Sequence, residues 1–592
     1  MSATDHTAPK PDLRDAWPAA IAVLLLAAAL LHMATYWYYT VEDAYISFRY
    51  AENFARGQGL TYNPGERIEG FSNLLWVLIL GGTAASGCDE LPLAAKVIGA
   101  SAGLAVIAVT VWIAWLLLPV ARWLALVPGI MLAVNPSFAV WSQAGLETPL
   151  YTLWLILACV PLVTATPGWR HGVISGLLWG MALATRPEAP LYLLAVCLPL
   201  VFHRRQTWRL LTGLAVGFMA VALPVEVFRI GYFGDVVPNT YHVKSTRFQG
   251  GGWRYLLTSL RMTGIGPLAV APFAPLLRHR ARWAGWSCLL AMSLPAAYIV
   301  RQGGDWMPMA RFFVPVLPFL ALAAAMGIAA MLSWTRPWGQ RLASCLGVGL
   351  AVLLLGVLVR IAYLGDEARK LDVTAGEWGI GLAAALLAAG AVAAVSCTAR
   401  GAAWLRRGKP VAVLVIVALS AVISLTAARH DVLGWEAQLH RQWQAVGLWL
   451  RDNARAGETM ATGLGGIIPY YAGLPNYDNG GLMDRRIAMM IRQAPDVETE
   501  RERVDRFIMG EYRPAYFLLP NLVQLWPPGQ EQTALAPWRL ASDPEFTAKY
   551  RLRQVEIGNK VFYFFKRIGR SDLEVRSDKH RVMAPAAPLL AR

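Results

Sequence analysis

The chain holds 592 residues, of which 56% are hydrophobic and 16% charged, a balance that excludes an ordinary soluble enzyme of this length. Its formal net charge of +16 would suggest nucleic acid in a soluble protein. Here the Lys and Arg gather in short loops between apolar runs, where the positive-inside rule and anionic headgroups account for them, so no nucleic-acid partner is assigned and membrane lipids are.

Residues 1–17 are polar and read as a cytoplasmic tail, and the apolar run after them is too long for a signal peptide, so it is expected to be a retained first span. Span-length or nearly span-length apolar runs cover 18–38, 91–118, 122–140, 149–166, 172–186, 188–202, 209–229, 259–277, 283–300, 312–333, 341–363, 378–396 and 410–427. That predicts a polytopic α-helical membrane region over 18–429 with about thirteen transmembrane helices. The runs 172–186 and 188–202 are short and separated by Arg186-Pro187-Glu188, which fits one broken helix or a tightly turned pair.

Orientation follows from the basic loops at Arg122, Arg170, His203 to Arg209, Arg278 to Arg282, Arg336 to Arg341 and Arg400 to Lys409, all expected in the cytoplasm. They share one side only if the run 74–87 does not cross but lies as a re-entrant or interfacial helix after a first outer loop, 39–73. Residues 430–592 then fall outside and form a compact α/β domain. Within it, residues 436–454 have the pattern of an amphipathic helix, and 514–520 and 561–567 are strand-like. The six cysteines have neither disulfide nor zinc spacing and read as small buried hydrophobes.

The chemistry is concentrated on the outer face. Glu42 and Asp43 follow the first span, where a carboxylate facing a partly dry cavity could take a proton from a hydroxyl; the plainer alternative is a solvated helix end. Arg49 belongs to the crowded polar surface of the same loop, and Gly57, Gly59 and Gly65 with Asn63-Pro64 supply turns that return it to the membrane. His242, Lys244 and Arg247, with Arg301 and Arg311 around Gly303 to Met309, have the character of phosphate ligands, or singly of headgroup anchors. Arg311 is the strongest of these because it begins a span. Glu147, Arg186 and Glu188 stand near span ends and would pair with one another or face a cavity, while Asp235 and Asp305 add carboxylates to the same side. No metal-ligand spacing and no nucleotide-binding loop is present, so no cofactor is obligatory, no metal ligand is assigned, and the need for a divalent metal is undecided.

The stretch from Glu42 to Trp76, EDAYISFRYAENFARGQGLTYNPGERIEGFSNLLW, resembles the first-loop signature of GT-C type polyprenyl-phosphate-sugar glycosyltransferases. The likeness is strongest to the decaprenyl-phosphate-arabinose-dependent arabinofuranosyltransferases and their proteobacterial relatives. YFGDVVPNTYHVK, GGDWMPMARFFVPVLP and GLGGIIPYYAGLPNYDNGGLMDRRIA are similar to further blocks of that group. The resemblance implies an inverting transferase of the bacterial inner (plasma) membrane, working on the extracytoplasmic face. It would move a single sugar, with arabinofuranose among the candidates, from a polyprenyl-phosphate donor to a glycan, lipid or protein acceptor. By position the family's acidic pair falls on Glu42 and Asp43, with Asp43 favoured as general base and Glu42 as its support, and the phosphate side falls on Lys244 and Arg311. Many members carry two Asp there, so Glu42 is a departure. The alternatives are a lipid-diphosphate-dependent oligosaccharide ligase or protein O-glycosyltransferase and, in another class, a lipid or solute transporter. The C-terminal domain is expected to recognise the acceptor as a unit whose removal spares the donor site.

Overall fold

A computed structural model describes residues 13–164, 168–203, 208–244, 251–263, 271–276, 280–333, 430–494, 497–518, 543–568 and 581–582. The expected spans 341–363, 378–396 and 410–427 lie outside the described residues, as does Arg247. The described chain before residue 334 forms α1 (Leu13–Ala34), α2 (Ala44–Ala55), α3 (Leu74–Ala85), α4 (Leu91–Leu117), α5 (Leu126–Ala133), α6 (Pro136–Trp141), α7 (Thr148–Val163), α8 (Trp169–Thr185), α9 (Ala189–His203), α10 (Trp208–Phe233), α11 (Asn239–Lys244), α12 (Gly252–Thr263), α13 (Arg280–Gln302) and α14 (Leu317–Ser333). Among the described residues, four helices are long and apolar enough to cross a membrane: Leu91–Leu117, Trp208–Phe233, Arg282–Gln302 and Arg311–Ala330. The other apolar helices are shorter, because the chain interrupts them. Asn135 caps α6 by accepting from Phe138 N at 3.0 Å, and Pro136 follows at its first position, so the run expected over 122–140 breaks into two helices. Arg186-Pro187-Glu188 likewise separates α8 from α9. α3 has 12 residues and is about 18 Å long, short of a bilayer core, which fits a helix that does not cross.

Two features shape the bundle. α8 and α10 meet through Gly172, Gly176 and Gly180 against Gly213 and Gly217; a Cβ at Gly172 or Gly176 would strike the Leu210 and Leu214 carbonyls, and one at Gly213 or Gly217 those of Trp169 and Val173. This small-residue spacing lets two backbones touch where lipid gives no hydrophobic drive for association. The opposite side of α10 exposes Val216, Met219, Leu223, Val227 and Ile230, as a lipid-facing surface should. By contrast, the Arg311–Ala330 segment is 94% buried, its alanines allowing neighbours to close in on every side, so the residue at its head is held by the centre of the bundle.

Residues 430–568 form an α/β unit with α15 (His430–Asn453), α16 (Ile467–Ala472), α17 (Arg485–Gln493), α18 (Val497–Phe507) and α19 (Pro544–Lys549). Its strands β1 (Met460–Thr462), β2 (Asn476–Tyr477), β3 (Tyr516–Leu518), β4 (Tyr550–Ile557), β5 (Lys560–Arg567) and, further along, β6 (Arg581–Val582) make a six-stranded sheet in the order β2-β1-β3-β5-β4-β6. β2, β1 and β3 are parallel, β3, β5 and β4 antiparallel, and β6 runs parallel to β4. The period of two along β5 divides its aromatic run between two cores. Phe562 and Phe564 pack with Val446, Trp449 and Leu450 of α15, whereas Tyr563 and Phe565 pack with Ile487, Val504 and Phe546 on the other face. The amphipathic helix and both strand-like segments read from the sequence are α15, β3 and β5.

Candidate active site

The site begins where α1 ends. Residues 35–43 turn from α1 into α2, and Tyr39 is fully buried with its Oη donating to Glu436 Oε2 on α15 at 2.8 Å. Glu42 is buried; its Oε1 accepts from Gly466 N at 2.5 Å, and its carboxyl is hydrogen-bonded to Asp43. Asp43 occupies the N-cap position of α2 yet makes no side-chain cap bond, so its carboxylate works on Glu42 and the cavity rather than on the helix. Burial, and then the Asp43 charge, push the Glu42 carboxyl well above the usual range against the opposing backbone N–H groups of Gly466 and Ile467. Of the two adjacent carboxyls, Glu42 is thus the one whose neutral form is favoured by burial and by its neighbour's charge.

The matching cation is Arg311. Met309 and Ala310 stand at φ 59° and 51°, a left-handed conformation that costs non-glycine residues of order 1 kcal/mol each or more. Trp141 Nε1 holds the bend by donating to Met309 O at 3.0 Å. This bend delivers Arg311 to the head of the buried segment, with its guanidinium 4.9 Å over Phe312 and 5.8 Å over Trp141. Arg311 Nε lies 2.8 Å from Asp305 Oδ2, a charge contact without hydrogen-bond geometry, because neither atom has a hydrogen-bond partner. Arg311 and Asp43 both act on the charge of Tyr39, which burial raises well above an ordinary tyrosine, so the expected base and the expected phosphate ligand share one region.

Next to it is a carboxylate-guanidinium chain. Arg186 bonds Glu147 Oε1 at 2.6 Å and grips Glu188 with two bonds of 2.8 and 3.1 Å; Asn73 donates to Glu147 Oε2 at 2.7 Å. Burial pushes the Glu188 carboxyl up, but Arg186, and with it Arg311, outweighs that and holds it below its ordinary value. Glu147 and Glu188 therefore both pair with Arg186, and Arg186 and Glu188 also line a cleft with Arg311.

The remaining expected residues divide. His242 Nε2 is 3.0 Å from Asp235 Oδ2, which also meets Arg485 of α17 at 3.0 Å, while Arg492 lies 3.4 Å from His242 Nδ1. Burial opposes, but the His242 contact, the Val236 and Val237 N–H groups and Arg485 hold Asp235 below its ordinary value. His242 is thus engaged with the C-terminal unit and is not gathered with Arg311. Lys244 ends α11, and Arg301 is exposed near the end of α13. Arg49 is buried, with its guanidinium donating to the carbonyls of Tyr62, Pro469 and Leu474 at 2.8, 2.6 and 2.7 Å, which makes it a clamp between the first loop and the C-terminal unit. Asn63 and Asn476 add a reciprocal pair of bonds at 3.0 Å. The C-terminal unit is thus not set apart from the first loop: Glu436, Gly466, Pro469, Leu474 and Asn476 hold the loop that carries the acids.

Three participants escaped the sequence reading. Lys96, a lone cation within an apolar span, donates to the Tyr39 carbonyl and, at 2.9 Å, to the Gln143 carbonyl. Glu436 and His440, four apart on α15, both reach Tyr39, His440 with its ring 6.0 Å away. A buried lysine and an acid-histidine pair on one helix face were legible signals. Burial lowers the His440 pKa to about 4 from 6.5, with Arg441 adding to this and a Thr40 backbone bond opposing it. A depressed folded value means that His440 contributes stability above pH 6.5, lost as the pH falls towards about 4. The loss amounts to about 3 kcal/mol. Thermal unfolding in detergent is expected to show that decline, and His440→Gln to flatten it; an unchanged slope would place the titration elsewhere.

Residues 433–565 match a family described as Domain of unknown function (DUF8728). The chain is 24% identical over 327 residues to the terminal β-(1→2)-arabinofuranosyltransferase of Corynebacterium glutamicum, covering 47% of this chain and 46% of that protein. It is 27% identical over 219 residues to the terminal β-(1→2)-arabinofuranosyltransferase of Mycobacterium tuberculosis, covering 34% of each. The chain thus spans about half and about a third of the length of these relatives. In structure it is similar to ArnT from Cupriavidus metallidurans bound to undecaprenyl phosphate, with a TM-score of 0.54 and 17% identity over 92% of this chain and 98% of that one. The apo state of ArnT gives 0.53 and 15%. The chain has the fold of the GT-C membrane glycosyltransferases.

Proposed function

We propose that the protein is an inverting glycosyltransferase that takes one sugar from a polyprenyl-phosphate donor and passes it to a glycan, lipid or protein acceptor on the extracytoplasmic face of the bacterial inner membrane. What carries this is a carboxyl pair, buried Glu42 and half-buried Asp43, at the start of the first loop, and a buried Arg311 at the head of the central segment, the charges of Asp43 and Arg311 both being felt by the buried Tyr39. Asp43 takes the acceptor hydroxyl proton; the acceptor oxygen attacks the anomeric carbon; the carbon–oxygen bond to phosphate breaks and its electrons leave with the lipid phosphate, whose growing charge Arg311 meets. One base and one anion partner suffice for inversion, and no covalent nucleophile is required. The arabinofuranosyltransferase relatives support arabinofuranose as the sugar, and the undecaprenyl phosphate held by ArnT supports the lipid carrier.

The test is donor binding to the purified protein in detergent, with synthetic decaprenyl-phosphate arabinofuranose. Arg311→Ala is expected to raise the half-saturating concentration about ten- to a hundredfold, the worth of a charge-assisted hydrogen bond. An unchanged curve would return Arg311 to a purely structural role.

A further inference from the structure

Beside Arg311, the ends of α7, α9 and α13 enclose a cleft lined by Thr148, Tyr151, Glu188, Tyr192, Tyr298 and Arg311 among others. Thr148 and Tyr151 are each 2% exposed, and among the described residues neither Thr148 Oγ1 nor Tyr151 Oη has a hydrogen-bond partner. Arg311 Nε, on the same cleft, is also without one. An unmet buried polar atom is costly, because it has given up water without gaining a partner. The two hydroxyls stand three residues apart on one face of α7, so the cost is concentrated where a ligand could recover it.

The charges select the kind of ligand. Arg186 and Arg311 face Glu147, Glu188 and Asp305, two cations against three carboxylates already in contact with them. Away from Arg311, whose Nε lacks a hydrogen-bond partner, the cleft's charges are matched by Arg186 with Glu147 and Glu188. There the cleft offers unmet hydroxyls and aromatic surface: Tyr192 stands edge-on to Tyr151 at 6.2 Å and stacks on Phe319 at 5.7 Å. A neutral ring bearing several hydroxyls fits that combination.

We propose that this cleft receives the glycosyl ring of the lipid-linked donor, with Thr148 Oγ1 and Tyr151 Oη bonding its hydroxyls as positioning groups, while Arg311, on the same cleft, takes the phosphate; this rests on the donor reading above. Thr148→Val and Tyr151→Phe keep side-chain shape and remove only the unmet oxygens. Each variant is therefore expected to unfold at the wild-type temperature or slightly above it. Binding is measured with two probes, decaprenyl phosphate and decaprenyl-phosphate arabinofuranose. Wild type should bind both, and each variant should lose about tenfold in affinity for the sugar-bearing lipid, one hydrogen bond's worth, and nothing for the bare one. Equal losses for both lipids, or no loss for either, overturns the cleft assignment while leaving the donor reading intact. A wild-type protein that binds neither lipid overturns both.

Discussion

Asp43→Asn is expected to lower sugar transfer at least about a hundredfold, the low end for removal of a positioned base, while the donor still binds with wild-type affinity. The amide keeps the size and most of the contacts of Asp43 but cannot take the acceptor proton. Glu42→Gln should behave differently. Because Glu42 is buried, with its carboxyl pushed up by burial and the Asp43 charge, and accepts from Gly466 N, glutamine is a close stand-in for its neutral form, and the loss should stay within about tenfold. Rates measured at saturating donor decide between the two carboxyls. The opposite pattern, an active Asp43→Asn and an inert Glu42→Gln, would exchange their roles.

Arg186→Ala has the largest expected effect on stability. It leaves Glu147 and Glu188, which are bonded to the same guanidinium, without their counter-charge in a site where Arg186 is 8% exposed. Breaking a buried ion pair by removing one partner costs about 3–5 kcal/mol. The unfolding temperature in detergent should fall accordingly. Arg186→Lys should not restore it, because one ammonium cannot reproduce two bonds to Glu188 and a third to Glu147. A variant with Glu147→Gln, Glu188→Gln and Arg186→Met together should recover much of the loss, since neutral groups carry no unpaired charge. Arg186→Ala with wild-type stability would mean that water already reaches these carboxylates.

How much of this was legible depends on how far apart the interacting residues lie in the chain. The apolar runs fixed most helix positions, because burial in lipid rewards local composition. The acids after α1 and the arginine at the head of the buried segment could be named because both stand at changes from polar to apolar sequence. Glu436 could not be matched to Tyr39 in the same way, being 397 residues away, and no local pattern announces a contact of that range. The left-handed pair Met309 and Ala310 was hidden for another reason: neither residue favours that conformation, and only the surrounding bundle and the Trp141 bond impose it. The glycine spacing of α8 and α10 was in plain view, yet it acquires meaning only once the two helices are known to touch. The C-terminal unit was recognisable from α15, β3 and β5, whereas its grip on the first loop passes through Arg49 and backbone carbonyls, which carry no sequence signal. For that reason deletion of 430–592 is expected to abolish donor turnover along with transfer.

If the first-loop carboxylates and Arg311 work on the face away from the cytoplasm, as proposed, the loop after α2 must be reachable from outside the cell membrane. Gln58 is exposed in the turn after α2, so a Gln58→Cys protein can be treated with a membrane-impermeant maleimide, in intact spheroplasts and after lysis, beside the parent protein as control. Labelling of Gln58→Cys beyond that of the parent is expected in intact spheroplasts. Labelling that appears only after lysis would put Glu42 and Asp43 in the cytoplasm and contradict the proposal.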